Sequence, residues 1–213
     1  MARPANADAE ATRARILESA VTLFAEHGLG STSVRDVAGA AEVSLAMVGH
    51  YFGSKDELYD ACLGAIYAEL STMNEQFARE LATQVPPEEL IARAVAIAFR
   101  FARKHRTAVR LMVRAAVSTG ELHPRGRQLL MNALEVVSTT LGARLDRPAS
   151  ELRLALQSVV FLVARYAAQD EGELAAVVGL PARERRHAVE AVEKHLVRLA
   201  SDAFGFHEEN EGR

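Results

Sequence analysis

The chain has 213 residues, with 25 Lys and Arg against 28 Asp and Glu and a net charge of −3. That balance excludes a broad basic field, so any contact with a polyanion has to come from a local arrangement of donors. Cys62 is the single cysteine, which excludes an intramolecular disulfide framework and fits a reducing compartment. The apolar runs are too short to span a bilayer, and the first ten residues lack the apolar stretch of a signal peptide. The expectation is a soluble, cytoplasmic protein without a membrane partner.

Residues 1–10 are small and polar and predict a flexible arm. A helix follows from about Ala11 to His27, with Ile16, Ala20, Leu23 and Phe24 on one face and Gly28 as its stop. Ser33 with Asp36 has the spacing of a capping box and opens a short helix that ends near Ala40. Ala41, Glu42 and Val43 form a turn, and a second short helix runs from Ser44 to about Tyr51. Ser54 with Glu57 is a further capping box, opening a long helix toward Ala82. Beyond Pro86 and Pro87 the pattern stays helical. The predicted helices are Pro87–Lys104, Arg106–Ser118, Pro124–Leu145, Ala149–Ala168 and Ala182–Phe204, with Gly120, Gly172 and Gly179 marking loops. Convincing strand-like alternation is lacking. The tail, residues 206–213, is predicted to be disordered.

Two short helices joined by a tight turn make a helix-turn-helix, whose second helix enters the DNA major groove. Val37, Ala38, Val43 and Val48 can supply its core, which leaves Leu45, Ala46, Met47, Gly49 and His50 to face outward. By helical spacing alone the Leu-Ala-Met run reads as core. The first sixty residues hold nine carboxylates, from Asp8 to Asp60, against Arg3, Arg13, Arg15, Arg35 and Lys55, which counts against a DNA surface built on bulk charge.

The stretch V-S-L-A-M-V-G-H-Y-F-G-S-K from Val43 to Lys55, with G-x-x-x-T-S-V-R-D-V-A from Gly28 upstream of it, resembles the signature of the tetracycline-repressor (TetR) family over roughly residues 12–62. The resemblance implies an all-α chain: a three-helix DNA-binding domain over 11–60, then a larger effector-binding and dimerisation domain over 61–205, with about nine helices. It implies a regulator, a repressor released from a palindromic operator in double-stranded DNA by a small-molecule effector; the alternative is a constitutive DNA-architectural or interaction protein. The resemblance places Ser33 and Arg35 on DNA from the first short helix, and Ser44, Leu45, Ala46 and Met47 at the start of the recognition helix. Gly49 lies within it, His50 and Tyr51 near its end, and Lys55 beyond it, the last three within reach of phosphates. Two positions depart from the pattern: Ala46 stands where relatives often have Gly, and Gly49 where they have Tyr. The apolar Leu45, Ala46 and Met47 suit methyl contacts to thymine.

The resemblance also implies a homodimer paired through the last two helices, with Leu156, Val160, Val163, Val189, Val192, Leu196 and Leu199 at the interface. An effector pocket between the middle helices would draw on Phe99, Phe101, Met112, Met131 and Phe161, although composition alone makes each a core residue. The segment Arg100–Arg127 is basic, with eight Lys and Arg against Glu121. A solvated or ion-paired face explains it, and an anionic effector is the sharper alternative. Cofactor and metal motifs are lacking, such as a Gly-rich phosphate loop or an H-E-x-x-H pair, so the expectation is a non-enzyme without a cofactor. Cys62 reads as a small buried apolar residue.

Overall fold

A computed structural model describes residues 5–81 and 85–206. Among these the secondary structure is entirely helical: α1 (Ala5–Ser31), α2 (Val34–Ala40), α3 (Leu45–Phe52), α4 (Lys55–Leu81), α5 (Pro87–Lys104), α6 (Arg106–Thr119), α7 (Pro124–Leu145), α8 (Ala149–Ala168), α9 (Glu171–Val178) and α10 (Arg185–Ala203), the last entered through a 3₁₀ turn at Ala182–Glu184. None of these helices is long and apolar enough to cross a membrane.

The predicted arm and tail are both shorter than expected. Ala5 to Glu10 already belong to α1, because this alanine-rich stretch has high helix propensity and Thr12 Oγ1 donates to the Asp8 carbonyl at 2.8 Å. At the other end Gly205 adopts φ +85°, and Phe206 N–H reaches back to the Ser201 carbonyl at 2.8 Å. That left-handed stop folds Phe206 onto the core. The remainder of the predicted arm and tail lies outside the described residues, as does the final residue of the expected long helix, Ala82.

One helix escaped the sequence reading. α9 occupies a stretch that Gly172 and Gly179 mark as loop in the sequence. Its start is fixed by Asp170, whose carboxylate accepts from Glu173 N–H at 2.8 Å and is held below the usual carboxylate range chiefly by that bond. Its end is fixed by Gly179 at φ +78°, with Leu180 N–H closing onto the Ala175 carbonyl at 2.8 Å, the Schellman stop. Gly172 sits in its first turn, where helix propensity matters least.

Two buried clusters organise the molecule. The head cluster gathers Ile16, Ala20, Phe24, Val37, Val48, Phe52, Leu58, Cys62 and Tyr67 from α1 to α4, and also Leu111 from α6. The body cluster gathers Leu90, Val95, Phe99, Leu141, Leu152, Val159, Val163, Leu174, Val192, Leu196 and Phe204. α6 joins the two: it packs along α1 on one side and α8 on the other. Cys62 is fully buried, and burial pushes its thiol up to about 12, so it is a neutral packing residue.

α7 and α8 form a tight antiparallel pair. Their turn passes so close to Gly142 that a β-carbon there would lie 2.8 Å from the Arg147 carbonyl oxygen. Gly39 in α2, by contrast, has open space where its β-carbon would be. Alanine at either site gains about 1 kcal/mol of helix propensity, but overpacking against fixed backbone typically costs about 1–3 kcal/mol. Gly39→Ala is therefore expected to raise the denaturation midpoint and Gly142→Ala to lower it, by up to about 2 kcal/mol. Urea unfolding of the two variants checks the pair; a Gly142→Ala protein as stable as Gly39→Ala would contradict the close approach.

Candidate nucleic-acid interface

The head is built from its caps inward. Ser33 Oγ accepts from Asp36 N–H at 3.1 Å and donates to Asp36 Oδ2 at 2.7 Å, while Ser33 N–H donates to the same carboxylate at 2.9 Å. At the start of α4, Ser54 N–H donates to Glu57 Oε2 at 2.7 Å and Ser54 Oγ accepts from Glu57 N–H at 3.2 Å. Both reciprocal boxes match the sequence expectation. Their hydrogen bonds hold the Asp36 and Glu57 carboxyls below their ordinary values.

Between α2 and α3 the chain reverses through a second Schellman stop. Glu42 N–H donates to the Gly39 carbonyl at 3.2 Å and Val43 N–H to the Ala38 carbonyl at 3.0 Å. The geometry requires a left-handed residue at the corner, and Glu42 occupies it at φ +54°. α3 then starts cleanly: Ser44 Oγ accepts from Met47 N–H at 3.2 Å.

α3 is eight residues long and divides into two faces. Val48 and Phe52 are buried against the head cluster, and Tyr51 is half-buried beside them. Leu45 is 48% and Met47 39% exposed, and Ala46, Gly49 and His50 are exposed as well. Space around Gly49 is open. Arg35 on α2 is exposed too. The Leu-Ala-Met run, which spacing alone would bury, therefore stands outside the core.

Two of the expected DNA contacts have other employment. The hydroxyl of Ser33 is committed to Asp36, so its one proton is already donated. Lys55 Nζ donates to the Leu29 carbonyl at 2.9 Å and is half-buried; the ammonium closes the end of α1, where unsatisfied carbonyls attract cations. Arg114 of α6 does the same from the opposite side, donating to the Glu26 carbonyl at 3.1 Å. Sequence reasoning missed Arg114, whose partners lie almost ninety residues upstream.

The expected effector-pocket residues are not brought together. Phe99 is fully buried in the body cluster. Phe101 stacks on His105, ring centroids 4.4 Å apart. Met112 packs on the head cluster, because α6 turns that face toward α1. Met131 and Phe161 are exposed, Phe161 at 66%, because the inward stripe of α8 is filled by Leu152, Val159, Val163 and Ala167. Among the described residues a cleft of about 530 Å³ opens elsewhere, lined by Arg103, Arg106, Asp170, Glu171, Gly172 and Arg185.

The basic segment is largely absorbed by internal contacts. Arg100 Nε donates to Glu193 Oε2 at 2.9 Å, Arg103 reaches the Ala167 carbonyl at 3.1 Å, and Arg127 pairs with Glu121 at 3.0 Å. Among the described residues no group of three or more His, Cys, Asp or Glu side chains is placed to hold a metal ion.

The dimer residues also divide. Val163, Val192 and Leu196 are buried in their own chain's core, and Leu156 and Val189 are half-buried against it. α10 faces α5, α8 and α9 within one chain, so its apolar stripe is spent there. Leu199 is half-buried. Val160 remains exposed at 42%, together with Leu154 at 74% and Phe161.

Two short helices joined by a tight turn, the second of them capped and facing outward, define a helix-turn-helix. Residues 16–62 match the model for bacterial regulatory proteins of the tetR family. It is 33% identical over 103 residues to the probable HTH-type transcriptional regulator YttP of Bacillus subtilis, covering 48% of this chain and 49% of that one. It is 39% identical over 64 residues to the HTH-type transcriptional repressor Rv3405c of Mycobacterium tuberculosis, covering 30% and 34%. The chain thus spans about half, or less, of the length of these curated relatives. The fold extends further: a TetR-like transcriptional regulator from Rhodococcus sp. RHA1 superposes with a TM-score of 0.60 at 23% identity, over 91% of this chain and 96% of that one.

The corner between α2 and α3 generates a prediction. A non-glycine residue in the left-handed region carries roughly 1–2 kcal/mol of strain, part of which glycine's greater freedom in the unfolded chain cancels. Glu42→Gly is expected to stabilise the protein by about 1 kcal/mol, read as a higher thermal midpoint. A lower midpoint would mean that the Glu42 side chain contributes more than its backbone costs.

Proposed function

We propose that the chain is a homodimeric transcriptional repressor that holds a palindromic operator through α3 and is released by a small-molecule effector bound in the helical body. The observation that carries this reading is the outward face of α3, in which Leu45, Ala46, Met47, Gly49 and His50 stand clear of the core. Ser44 accepts from the Met47 N–H, so its own proton is available to a phosphate. Arg35 adds a guanidinium at the rim, His50 an imidazole, and Tyr51 a phenol at the far end. The same reading takes 11–60 as the DNA-binding unit and 61–205 as the sensing and pairing unit.

Dimerisation is assigned to the outward face of α8. Leu154, Ser158, Phe161 and Arg165 share one helical stripe, with Val160 beside it, and all five are exposed. Large apolar side chains grouped on one face mark an interaction surface, and a two-fold partner supplies two reading heads on one duplex. Effector control is supported by α6, which places Leu111 in the head cluster and Arg114 on the end of α1. A rearrangement of the body has a rigid path to the head, provided the effector prefers the arrangement that does not fit DNA.

Selection of bound duplexes from a random pool tests the reading. The expected product is a palindrome whose half-sites lie about one helical turn, or a multiple of it, apart. Arg35→Ala should weaken binding to every selected sequence and reduce the slope of log affinity against log salt by about one. Recovery of no enriched sequence would overturn the proposal. Bound DNA that no small molecule releases would favour a constitutive architectural role.

Leu154→Glu with Phe161→Glu places four carboxylates in the proposed two-fold interface while leaving the core untouched. Sedimentation should show a monomer with the helical content of the parent. A dimer that survives both changes would place the interface elsewhere.

A further inference from the structure

We infer that this regulator recognises thymine through its 5-methyl group, using an apolar ridge of Leu45, Ala46 and Met47 in place of hydrogen-bonding base readers. The inference rests on the DNA-binding reading above and concerns what the recognition helix can distinguish.

Each base edge in the major groove calls for its own chemistry. Guanine is read by Arg or Lys, adenine by Asn or Gln, cytosine by Asp or Glu, and the thymine methyl by apolar side chains. α3 has the sequence Leu-Ala-Met-Val-Gly-His-Tyr-Phe and carries none of the first three sets. Val48 and Phe52 are buried, and Tyr51 is half-buried against the head cluster. The residues left to meet base edges are Leu45, Ala46, Met47 and Gly49, with His50 at the far end. Lys55 lies beyond α3, at the start of α4, with an ammonium donor on the Leu29 carbonyl at 2.9 Å.

The remaining surface fits a thymine-rich half-site. Leu45 and Met47, half or nearly half exposed, project from the first turn of the helix, the part that meets base edges. Gly49 has nothing within 4 Å of where a β-carbon would stand, so the backbone one turn on can approach a base pair closely. Ser44, the N-cap of α3, adds a hydroxyl donor suited to a phosphate at the start of the ridge. In B-DNA the methyl of thymine is the apolar group such a ridge can meet. Methionine, unbranched and flexible, adapts to the spacing between neighbouring methyls.

Deoxyuridine in place of thymine removes the methyl and leaves the pairing edge unchanged. The operator recovered from the random pool is synthesised with each thymine replaced singly by deoxyuridine, and the full-length protein is titrated against each duplex. Loss of one contacted methyl should weaken binding about 4-fold, the effect of one buried methyl or methylene group. Leu45→Ala and Met47→Ala, both at exposed positions, should each weaken binding to the unsubstituted operator by about that same factor and abolish the discrimination at a particular thymine, while keeping the parent's fold-penalty at the other thymines. Circular dichroism confirms that the variants are folded, and the parent titration stands without them. Affinity indifferent to deoxyuridine throughout the half-site would overturn the inference and leave the DNA-binding reading intact. An identical penalty in the parent and both variants would overturn it too, since the methyl would then be sensed by other residues. A pool that yields no operator defeats the underlying reading instead.

Discussion

The end of α1 is the point on which the arrangement of the head depends. A helix leaves its last carbonyls without partners, and their combined dipole is negative. Here the carbonyls of Glu26 and Leu29 are met by two cations from different parts of the chain, Arg114 of α6 and Lys55 of α4. Thr32, buried, donates to the Gly28 carbonyl at 2.9 Å, and Gly28 turns the chain at φ +82°. One helix end thereby fixes the entry to α2, the start of α4 and the seat of α6. The orientation of α3, two short elements later, follows from that junction.

The division of labour among charged residues follows the same logic. The chain is acidic overall, and its arginines are mostly engaged within the fold: Arg100 with Glu193, Arg103 with the end of α8, Arg114 with the end of α1. The surface offered to DNA is consequently modest in charge and specific in shape. Capping uses the carboxylates economically. Asp36, Glu57 and Asp170 each satisfy helix-start N–H groups, and each is held in its ionised form by doing so.

Local signals in the sequence specify most of the helix starts and stops, and the choice of long-range partner is not legible in it. Both Ser capping boxes, the turn at Ala41–Val43 and the extents of α5, α7 and α8 follow from spacing within four residues. α9 also carried local signals, Asp170 three residues before Glu173 and Gly179 at its end, but two glycines in ten residues suggested a loop. What spacing could not supply was the choice of partner. Lys55 within F-G-S-K also donates to the Leu29 carbonyl, a contact that no local spacing announces. Val163, Val192 and Leu196 looked like an interface because an apolar stripe does not say whether it faces its own chain or another. Phe161 looked like pocket lining, and the crowding of α8 by α5, α6, α7 and α10 left it outside. On α3 the reverse held: periodicity favoured burial of Leu45, Ala46 and Met47, and only the flanking motif turned them out.

Leu111 has a consequence for how the molecule comes apart. Its side chain belongs by sequence to the body and by burial to the head, where it is fully enclosed among residues of α1 to α4. Removing such a leucine from its site typically costs about 2–5 kcal/mol, a large share of the stability of a unit as small as the head. The stability of the head is thereby coupled to the seating of α6, which also packs on α8. A fragment cut after α4 would carry a leucine-sized hole in its centre.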